Sequence, residues 1–213
     1  MKTKSLIDDL SKNLAPSKAI PKTVVRTFQI LAVALLGVGS IFILFSVRND
    51  LHSIVDSPIF IFSGLVLVLA WTLASYSLSI LQIPTIEDKK YLILALLAVC
   101  TLVFVYLVRG VFWGSAPIQE GLAPSGVKCS LDILFLSTLP GVLLFFLLRK
   151  GAPVQISLVG ANTGLCCAML GAFALQFSCP SNLDIHLLVW HLLIPFAVLF
   201  SFGAWLAQKF LKW

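Results

Sequence analysis

The chain has 213 residues, of which 59% are hydrophobic and only 11% are charged, with a net charge of +6. A soluble domain usually carries about 25% charged residues, so this sequence has too few polar side chains to cover a water-soluble globule of its size. The composition excludes an ordinary cytosolic enzyme, a disordered chain and a secreted disulfide scaffold, and membrane spans become the natural units of the fold.

The N-terminal tail, residues 1–26, precedes the first long apolar run and carries six lysines and arginines. Apolar side chains recur in it at helical spacing, at Leu6, Ile7, Leu10 and Leu14. Pro16 and Pro21 end this pattern before the membrane begins. We predict a cytoplasmic amphipathic tail whose apolar stripe either docks on a partner or lies on the inner leaflet.

Six segments are long and apolar enough to cross a bilayer as helices, which takes about 20 residues each. They are Thr27–Val47, Pro58–Leu81, Tyr91–Val108, Leu131–Leu148, Val154–Ser178 and His186–Gln208. Each run is apolar on all sides, as expected of helices covered by lipid or by other helices, and none alternates like a transmembrane β-strand. We therefore predict an all-α membrane protein, with a bundle of six transmembrane helices over residues 27–213.

The distribution of basic residues gives the predicted orientation. With six spans, twelve of the 15 lysines and arginines fall on the same side as the two termini. The remaining three are Arg48, Arg109 and Lys128. Because positively charged loops stay in the cytoplasm, we predict that both termini are cytoplasmic. The same rule accounts for the basic character of the chain without nucleic-acid binding.

The predicted spans contain almost no charge. Asp132 lies near the outer end of the fourth span, and no Lys, Arg or Glu lies deep in any span. Charged residues within spans mark the paths of ions and substrates, so a small membrane carrier or metal channel is the less favoured alternative. In the fifth span, Gly160, Gly164 and Gly171 suit close packing of helices, and Asn162 suits an interhelical hydrogen bond.

The five cysteines separate by depth. Cys100, Cys166 and Cys167 lie in the middle of spans and are interpreted as small apolar core residues. Cys129 and Cys179 lie at the outer ends of the fourth and fifth spans, which a short inner loop makes antiparallel neighbours. The two sulfurs would then meet in an oxidising compartment, where a disulfide, another functional role and incidental surface cysteines are the alternatives.

Two histidines begin the sixth span. His186 and His191 lie five residues apart, so a regular α-helix does not place them on one face. Thiolate and imidazole both bind soft or borderline metals, and a zinc or cadmium site built from Cys129, Cys179 and these histidines is one hypothesis, although its spacing matches no standard zinc motif. The alternative is that both histidines lie at the membrane interface, where water or headgroups satisfy them.

Motifs for catalysis are missing from the sequence. It contains no CxxC pair for thiol oxidation, no HExxH, no GxSxG and no Walker loop. We therefore expect neither an enzyme nor a bound cofactor, and a membrane thiol oxidoreductase is the least favoured alternative.

Four stretches of the sequence together resemble one protein family. They are the opening MKTKSLIDDLSKNLAP, the segment LPGVLLFFLLRKGAP after Cys129, QFSCPS at the end of the fifth span, and HLLVWH…KFLKW at the end of the chain. These stretches are similar to the NrsF-like family, six-span bacterial membrane proteins that act as anti-sigma factors. The second and third spans resemble the family only in hydropathy. His191 departs from the family, which often has tyrosine after the tryptophan of the last span.

The resemblance implies a function. Such proteins hold an extracytoplasmic-function sigma factor at the inner membrane, away from RNA polymerase, and release it on an envelope signal. The resemblance also implies that the family's paired cysteines correspond to Cys129 and Cys179, which would sense a redox or metal signal. The expected partners are the sigma factor, bound through Leu6, Ile7, Leu10 and Leu14 of the tail, and the lipid bilayer, with no direct contact to nucleic acid.

Overall fold

The computed structural model describes residues 28–33, 36, 39, 47–83, 89–113, 117–149 and 153–211. The predicted tail, with its stripe of Leu6, Ile7, Leu10 and Leu14, lies outside the described residues, and so does most of the predicted first span. Residues 28–33 of that span are helical, and Ile30 and Val33 are buried in the core. In the described part of the chain, all regular structure is helical and no strand occurs.

Among the described residues, five helices are long and apolar enough to cross a membrane. Four of them are α1 (Pro58–Leu81), α2 (Lys90–Val108), α3 (Gly126–Leu148) and α4 (Ile156–Leu175). The fifth, α5, covers Asp184–Phe210. It consists of an α-helical turn, Asp184–His186, a π-helical segment, Leu187–Leu193, and a regular α-helix, Ile194–Phe210. The minor elements are Leu51–Ile54, Ile118–Gly121 and a π-helical turn, Arg109–Trp113, that extends α2.

Five of the predicted spans coincide with these helices, with differences at their ends. The second predicted span has the bounds of α1, which begins at Pro58, where a helix needs no N–H donor. The fourth begins earlier than predicted, at Gly126, which places Cys129 inside the helix. The fifth is shorter than predicted and ends at Leu175, so Cys179 lies in the segment between α4 and α5. The first predicted span, Thr27–Val47, and the side of the membrane on which the termini lie stay predictions.

Helix α4 is the centre of the bundle. Of the residues in its spanning part, 89% are buried, against 28–33% in the other four helices. Helices α1, α3 and α5 pack against it, and α2 packs against α1. A helix in this position must be apolar on every side and rich in small residues, because three neighbours approach it closely.

Glycines set the distance between α4 and its neighbours. A Cβ atom at Gly164 would overlap the backbone carbonyl of Leu199, and one at Gly160 would overlap the carbonyl of Gly203. These contacts confirm the predicted role of the glycines in close packing of helices. The predicted interhelical hydrogen bond is also confirmed, since Nδ2 of Asn162 donates to a carbonyl of α1 at 3.0 Å.

Candidate functional site

Four side chains of the metal-binding type converge at the outer end of the bundle, meaning the end predicted to face outwards. Cys129 belongs to α3, Cys179 follows α4, and His186 and His191 belong to α5. The Sγ atoms of the two cysteines lie 3.6 Å apart, and Sγ of Cys179 lies 3.7 Å from Nε2 of His186. One ligand atom from each of the four residues lies within 4.8 Å of the others. The structure thus brings together the four outer residues that the sequence indicates as candidates, and we call them the Cys–His site.

The two cysteines differ in their surroundings. Both are free thiols, but Cys129 is half-buried whereas Cys179 is only 3% exposed. A hydrogen bond from the Cys129 thiol, together with the neighbouring rings of His186 and His191, holds the pKa of Cys179 well below its usual value, although burial opposes this shift. Because the thiolate is the form of cysteine that binds metals and attacks electrophiles, Cys179 is the more reactive sulfur of the pair.

A π-helical segment places the two histidines on one face of α5. The ring centroids of His186 and His191 lie 5.7 Å apart. Residues five apart diverge in an α-helix, but the i→i+5 hydrogen bonds of a π-helix bring them onto adjacent turns. The expectation that the two histidines do not share a face is therefore wrong, because it assumed α-helical periodicity through Leu187–Leu193.

Pro195 helps to explain this irregular segment. The N–H of Ile194 bonds to the carbonyl of Val189, five residues back, instead of to Trp190. Pro195 has no N–H, so it cannot supply the next donor for the carbonyl of Trp190. The hydroxyl of Ser130 donates to that carbonyl instead, at 2.6 Å. A side chain of α3 therefore satisfies the carbonyl that the irregular segment of α5 leaves without an N–H donor, beside the Cys–His site.

Trp190 and Ile185 pack the outer ends of the helices together. Nε1 of Trp190 donates to the carbonyl of Gly121 at 3.1 Å, and its ring covers Gly126, where a Cβ atom would overlap it. A Cβ atom at Gly121 would lie 2.7 Å from Cβ of Ile185, and Gly110 is in equally close contact with that side chain. The ends of α2, α3 and α5 are therefore tightly packed around the Cys–His site.

Arg48 holds the segment that carries Cys179. Its guanidinium, in a residue only 8% exposed, donates to both carboxylate oxygens of Asp50 at 2.6 and 2.7 Å. It also donates to Oδ1 of Asn182 at 2.9 Å and to the carbonyl of Pro180 at 3.2 Å. A buried guanidinium needs such partners to offset its lost hydration. Arg48 enters the predicted orientation only as a charge, and the signal in the sequence for its pairing with Asp50 is the Arg-x-Asp pattern at the end of an apolar run.

A cleft of about 210 Å³ at the outer end of the bundle reaches Cys179. Its walls include Ser57, Tyr106, Gln176 and two arginines, Arg48 and Arg109. Arg109 is paired there with Asp184, with Nε and Oδ1 3.3 Å apart. These polar groups are mixed with apolar side chains, and they offer hydrogen-bond partners to water or a small polar solute beside Cys179.

Two separations within the Cys–His site match those of a tetrahedral metal site. With zinc–sulfur distances of about 2.3 Å and zinc–nitrogen distances of about 2.0 Å, tetrahedral angles separate two sulfurs by about 3.8 Å and a sulfur and a nitrogen by about 3.5 Å. The two separations in the structure, 3.6 and 3.7 Å, are close to these values. Both ring nitrogens of His191 are buried without a hydrogen-bond partner among the described residues, and a metal ion would supply the contact that one of them lacks. The geometry suits a divalent cation that prefers sulfur and nitrogen ligands.

Comparison with known proteins identifies a family. A family model described as negative regulator of sigma F matches residues 10–213. The matched part includes all four residues of the Cys–His site. No curated protein and no solved structure matches the chain.

Proposed function

Because the chain belongs to the negative regulator of sigma F family, we propose that it is a membrane-bound anti-sigma factor for an extracytoplasmic-function sigma factor. In the resting state it holds the sigma factor at the bacterial inner membrane, away from RNA polymerase. The family match over residues 10–213 is the observation that carries this conclusion. The five described helices that could cross a membrane support the location. The protein then acts by binding, as a regulator and not as an enzyme, and makes no contact with nucleic acid.

We assign sigma-factor binding to the tail, residues 1–26, on the cytoplasmic side. Its apolar stripe consists of Leu6, Ile7, Leu10 and Leu14. An amphipathic helix this short is only marginally stable in water, so it gains stability when the stripe packs into an apolar groove of a partner. Such a segment binds its partner while its apolar stripe is accessible. It releases the partner when the position of the stripe relative to the membrane changes.

The Cys–His site is the proposed sensor of the releasing signal. A thiophilic metal ion would draw Cys129, Cys179, His186 and His191 towards one centre, and the ligand atoms already lie close enough for this. An oxidant would instead accept two electrons from the two thiols, which lose two protons and form a disulfide with a bond of about 2.0 Å. A disulfide would shorten the 3.6 Å separation of the sulfurs, and a metal ion would draw the two histidines of α5 towards Cys129 of α3. Either event would change the position of α3 relative to α5.

The bundle can carry this change to the inner side. The glycine contacts make α4 and α5 a closely packed pair, and the bond between Ser130 and Trp190 joins α3 to this pair beside the Cys–His site. A shift of α3 against the α4–α5 pair therefore reaches the inner ends of these helices, next to the bound sigma factor. For release, the signal must favour the second state by a few kcal/mol, with about 1.4 kcal/mol for each tenfold change in the equilibrium.

Co-purification tests the proposed partner and its binding segment. The full-length protein and a chain lacking residues 1–25 are each expressed with candidate sigma factors and purified from membranes. We expect the sigma factor to accompany the full-length protein and to be lost with the tail. A second variant, with Leu6→Ala and Leu10→Ala, keeps every charge of the tail and should also lose the partner. This loss would assign binding to the apolar stripe. Capture that persists after the deletion would move binding to the inner loops, and no capture by the full-length protein would contradict the proposed function.

A further inference from the structure

We propose a second binding site, a groove between α3 and α5 that takes an anionic phospholipid of the inner leaflet. The groove has a volume of about 510 Å³, within the usual range of ligand sites, about 300 to 1,000 Å³. It lies between the inner parts of the two helices, and none of its lining residues belongs to the Cys–His site. It is therefore a separate site on the same pair of helices.

The walls and floor of the groove are apolar. Phe145 of α3 and Phe202 of α5 line it, together with small residues of α4, including Thr163 and Gly164, on the floor between the two helices. The hydroxyls in the floor are already bonded within the protein: Oγ of Ser137 donates to a carbonyl of α4 at 3.0 Å, and Oγ1 of Thr163 donates to one in its own helix at 2.8 Å. Since these hydroxyls need no further partner, the interior suits a hydrocarbon chain.

The inner end of the groove is positively charged. Arg149, an exposed residue that follows α3, lines it. Basic residues follow or end both helices that flank the groove, at Arg149, Lys150, Lys209 and Lys212. Over residues 133–213 the sequence contains one acidic residue, Asp184, and that residue lies at the outer end. An anionic headgroup at the inner end would therefore meet Arg149 and, among the described residues of α3, α4 and α5 on this side, no acidic side chain.

A phospholipid matches this combination of apolar groove and basic end. On α3 the lining runs from Leu134 to Arg149, a rise of about 22 Å at 1.5 Å per residue. The hydrocarbon half of one leaflet is about 15 Å thick, so an acyl chain can lie in the groove while its headgroup reaches Arg149. Basic pockets between transmembrane helices on the cytoplasmic side bind anionic headgroups in this way. A second copy of the chain fits less well, because a symmetric contact would bring two sets of basic helix ends together.

The bound lipid would act on the two helices that the Cys–His site joins. An acyl chain in the groove fixes the separation of α3 and α5 at the inner side, so the affinity for lipid and the state of the outer site influence each other reciprocally. This regulatory role rests on the proposed function and on the predicted orientation. The binding itself does not need a sigma factor, and it can therefore be tested alone.

The experiment measures which lipids stay bound to the purified full-length protein. The protein is equilibrated in detergent with equal amounts of phosphatidylglycerol and phosphatidylcholine that have the same acyl chains, and the bound lipid is quantified by native mass spectrometry. We expect at least a fivefold preference for phosphatidylglycerol. Arg149→Gln should abolish the preference while retaining some binding of both lipids, and Lys89→Gln, at another basic inner loop, should leave it unchanged.

A second variant tests whether the groove itself is occupied. Gly141 lines the groove, and a Cβ atom there would meet only Sγ of Cys167, at 3.7 Å, so Gly141→Leu adds a side chain to the groove without a backbone clash at its Cβ. We expect it to lose the bound lipid and keep the thermal stability of the parent. Leu139→Phe, on an exposed part of α3 outside the groove, should bind lipid normally. Lack of preference in the parent protein, undiminished binding to Gly141→Leu, or a lipid-free dimer that Gly141→Leu abolishes would each overturn the inference. None of these results depends on whether a sigma factor co-purifies.

Discussion

The hydroxyl of Ser130 donates a 2.6 Å hydrogen bond to the carbonyl oxygen of Trp190. The two residues adjoin Cys129 and His191, so the bond joins α3 to α5 directly beside the Cys–His site. The Trp190 carbonyl is free to accept this bond because its donor in a continued π-helix would be Pro195, which has no N–H. The irregular helix, the two histidines and the cysteine of α3 therefore depend on one another.

Ser130→Ala tests this dependence. The change leaves the Trp190 carbonyl without its donor, and an unsatisfied buried acceptor costs about 1–3 kcal/mol. We expect a lower thermal midpoint and a weaker affinity for Cd²⁺, since His191 is no longer fixed relative to Cys129. Thr101→Val is the matched control, because the hydroxyl of Thr101 is exposed and bonds only within its own helix, at 2.9 Å. If Ser130→Ala and the control behave alike, the bond does not support the site.

Metal binding is the most direct chemical test of the Cys–His site. We expect one Cd²⁺ or Zn²⁺ ion for each chain, with cadmium–thiolate absorption that requires both Cys129 and Cys179. Replacing either sulfur with serine should lower the affinity at least tenfold, which is about 1.4 kcal/mol, and His191→Ala should lower it by a smaller factor. Cys100→Ser, at a cysteine outside the site, should have no effect. An affinity unchanged by the loss of both sulfurs would remove the site from consideration.

The pH dependence of alkylation tests the surroundings of Cys179. Because its pKa is held well below the usual value, chiefly by the hydrogen bond from Cys129, the thiolate persists as the pH falls. We expect its rate of reaction with iodoacetamide, followed by mass spectrometry, to be nearly constant across the neutral range. Cys129→Ala removes the donor, so the pKa rises towards the usual value of about 8.5 and the rate should then increase with pH. A parent protein whose rate already rises as an ordinary thiol's does would contradict this assignment.

Close contact between α4 and α5 can be tested with one methyl group. Gly164→Ala places a Cβ atom on the carbonyl of Leu199, and because that atom belongs to the backbone, we expect a loss of about 1–3 kcal/mol. Gly141→Ala is the matched control, since its Cβ makes an ordinary 3.7 Å contact with Cys167. Thermal unfolding of both variants in the same detergent measures the difference. Equal midpoints of thermal unfolding for the two variants would show that α4 and α5 can move apart at Gly164 without a loss of stability.

Much of the fold could be predicted from the sequence, because the bilayer imposes the length and composition of a span. The bounds of α1 follow from its apolar run and from Pro58 at its start. The beginning of α3 could not be found in this way. It lies at Gly126, before the apolar run predicted from Leu131, and is set by the tertiary contact of Gly126 with Trp190. Hydropathy identifies the residues that can lie in the membrane, but it contains no information on contacts between the ends of helices.

The candidate site could be predicted only in part, for a related reason. The depth of Cys129 and Cys179 and a short inner loop were enough to indicate that the sulfurs meet. The proximity of His186 and His191 required the π-helical segment, whose one visible signal in the sequence is Pro195. The role of Arg48 depends on Asn182, 134 residues away, and no local pattern reveals a contact at that separation.

Release of the sigma factor by a metal on the opposite side of the membrane is the most direct test of the central claim. The protein is reconstituted in sealed vesicles with labelled sigma factor bound on the side of the termini, and Cd²⁺ is added only to the other side. We predict that the parent protein and Cys100→Ser release the sigma factor. The double variant with Cys129→Ser and Cys179→Ser should keep it. Release from the double variant to the same extent, or full retention by the parent protein at saturating Cd²⁺, would contradict metal control of the sigma factor through the Cys–His site.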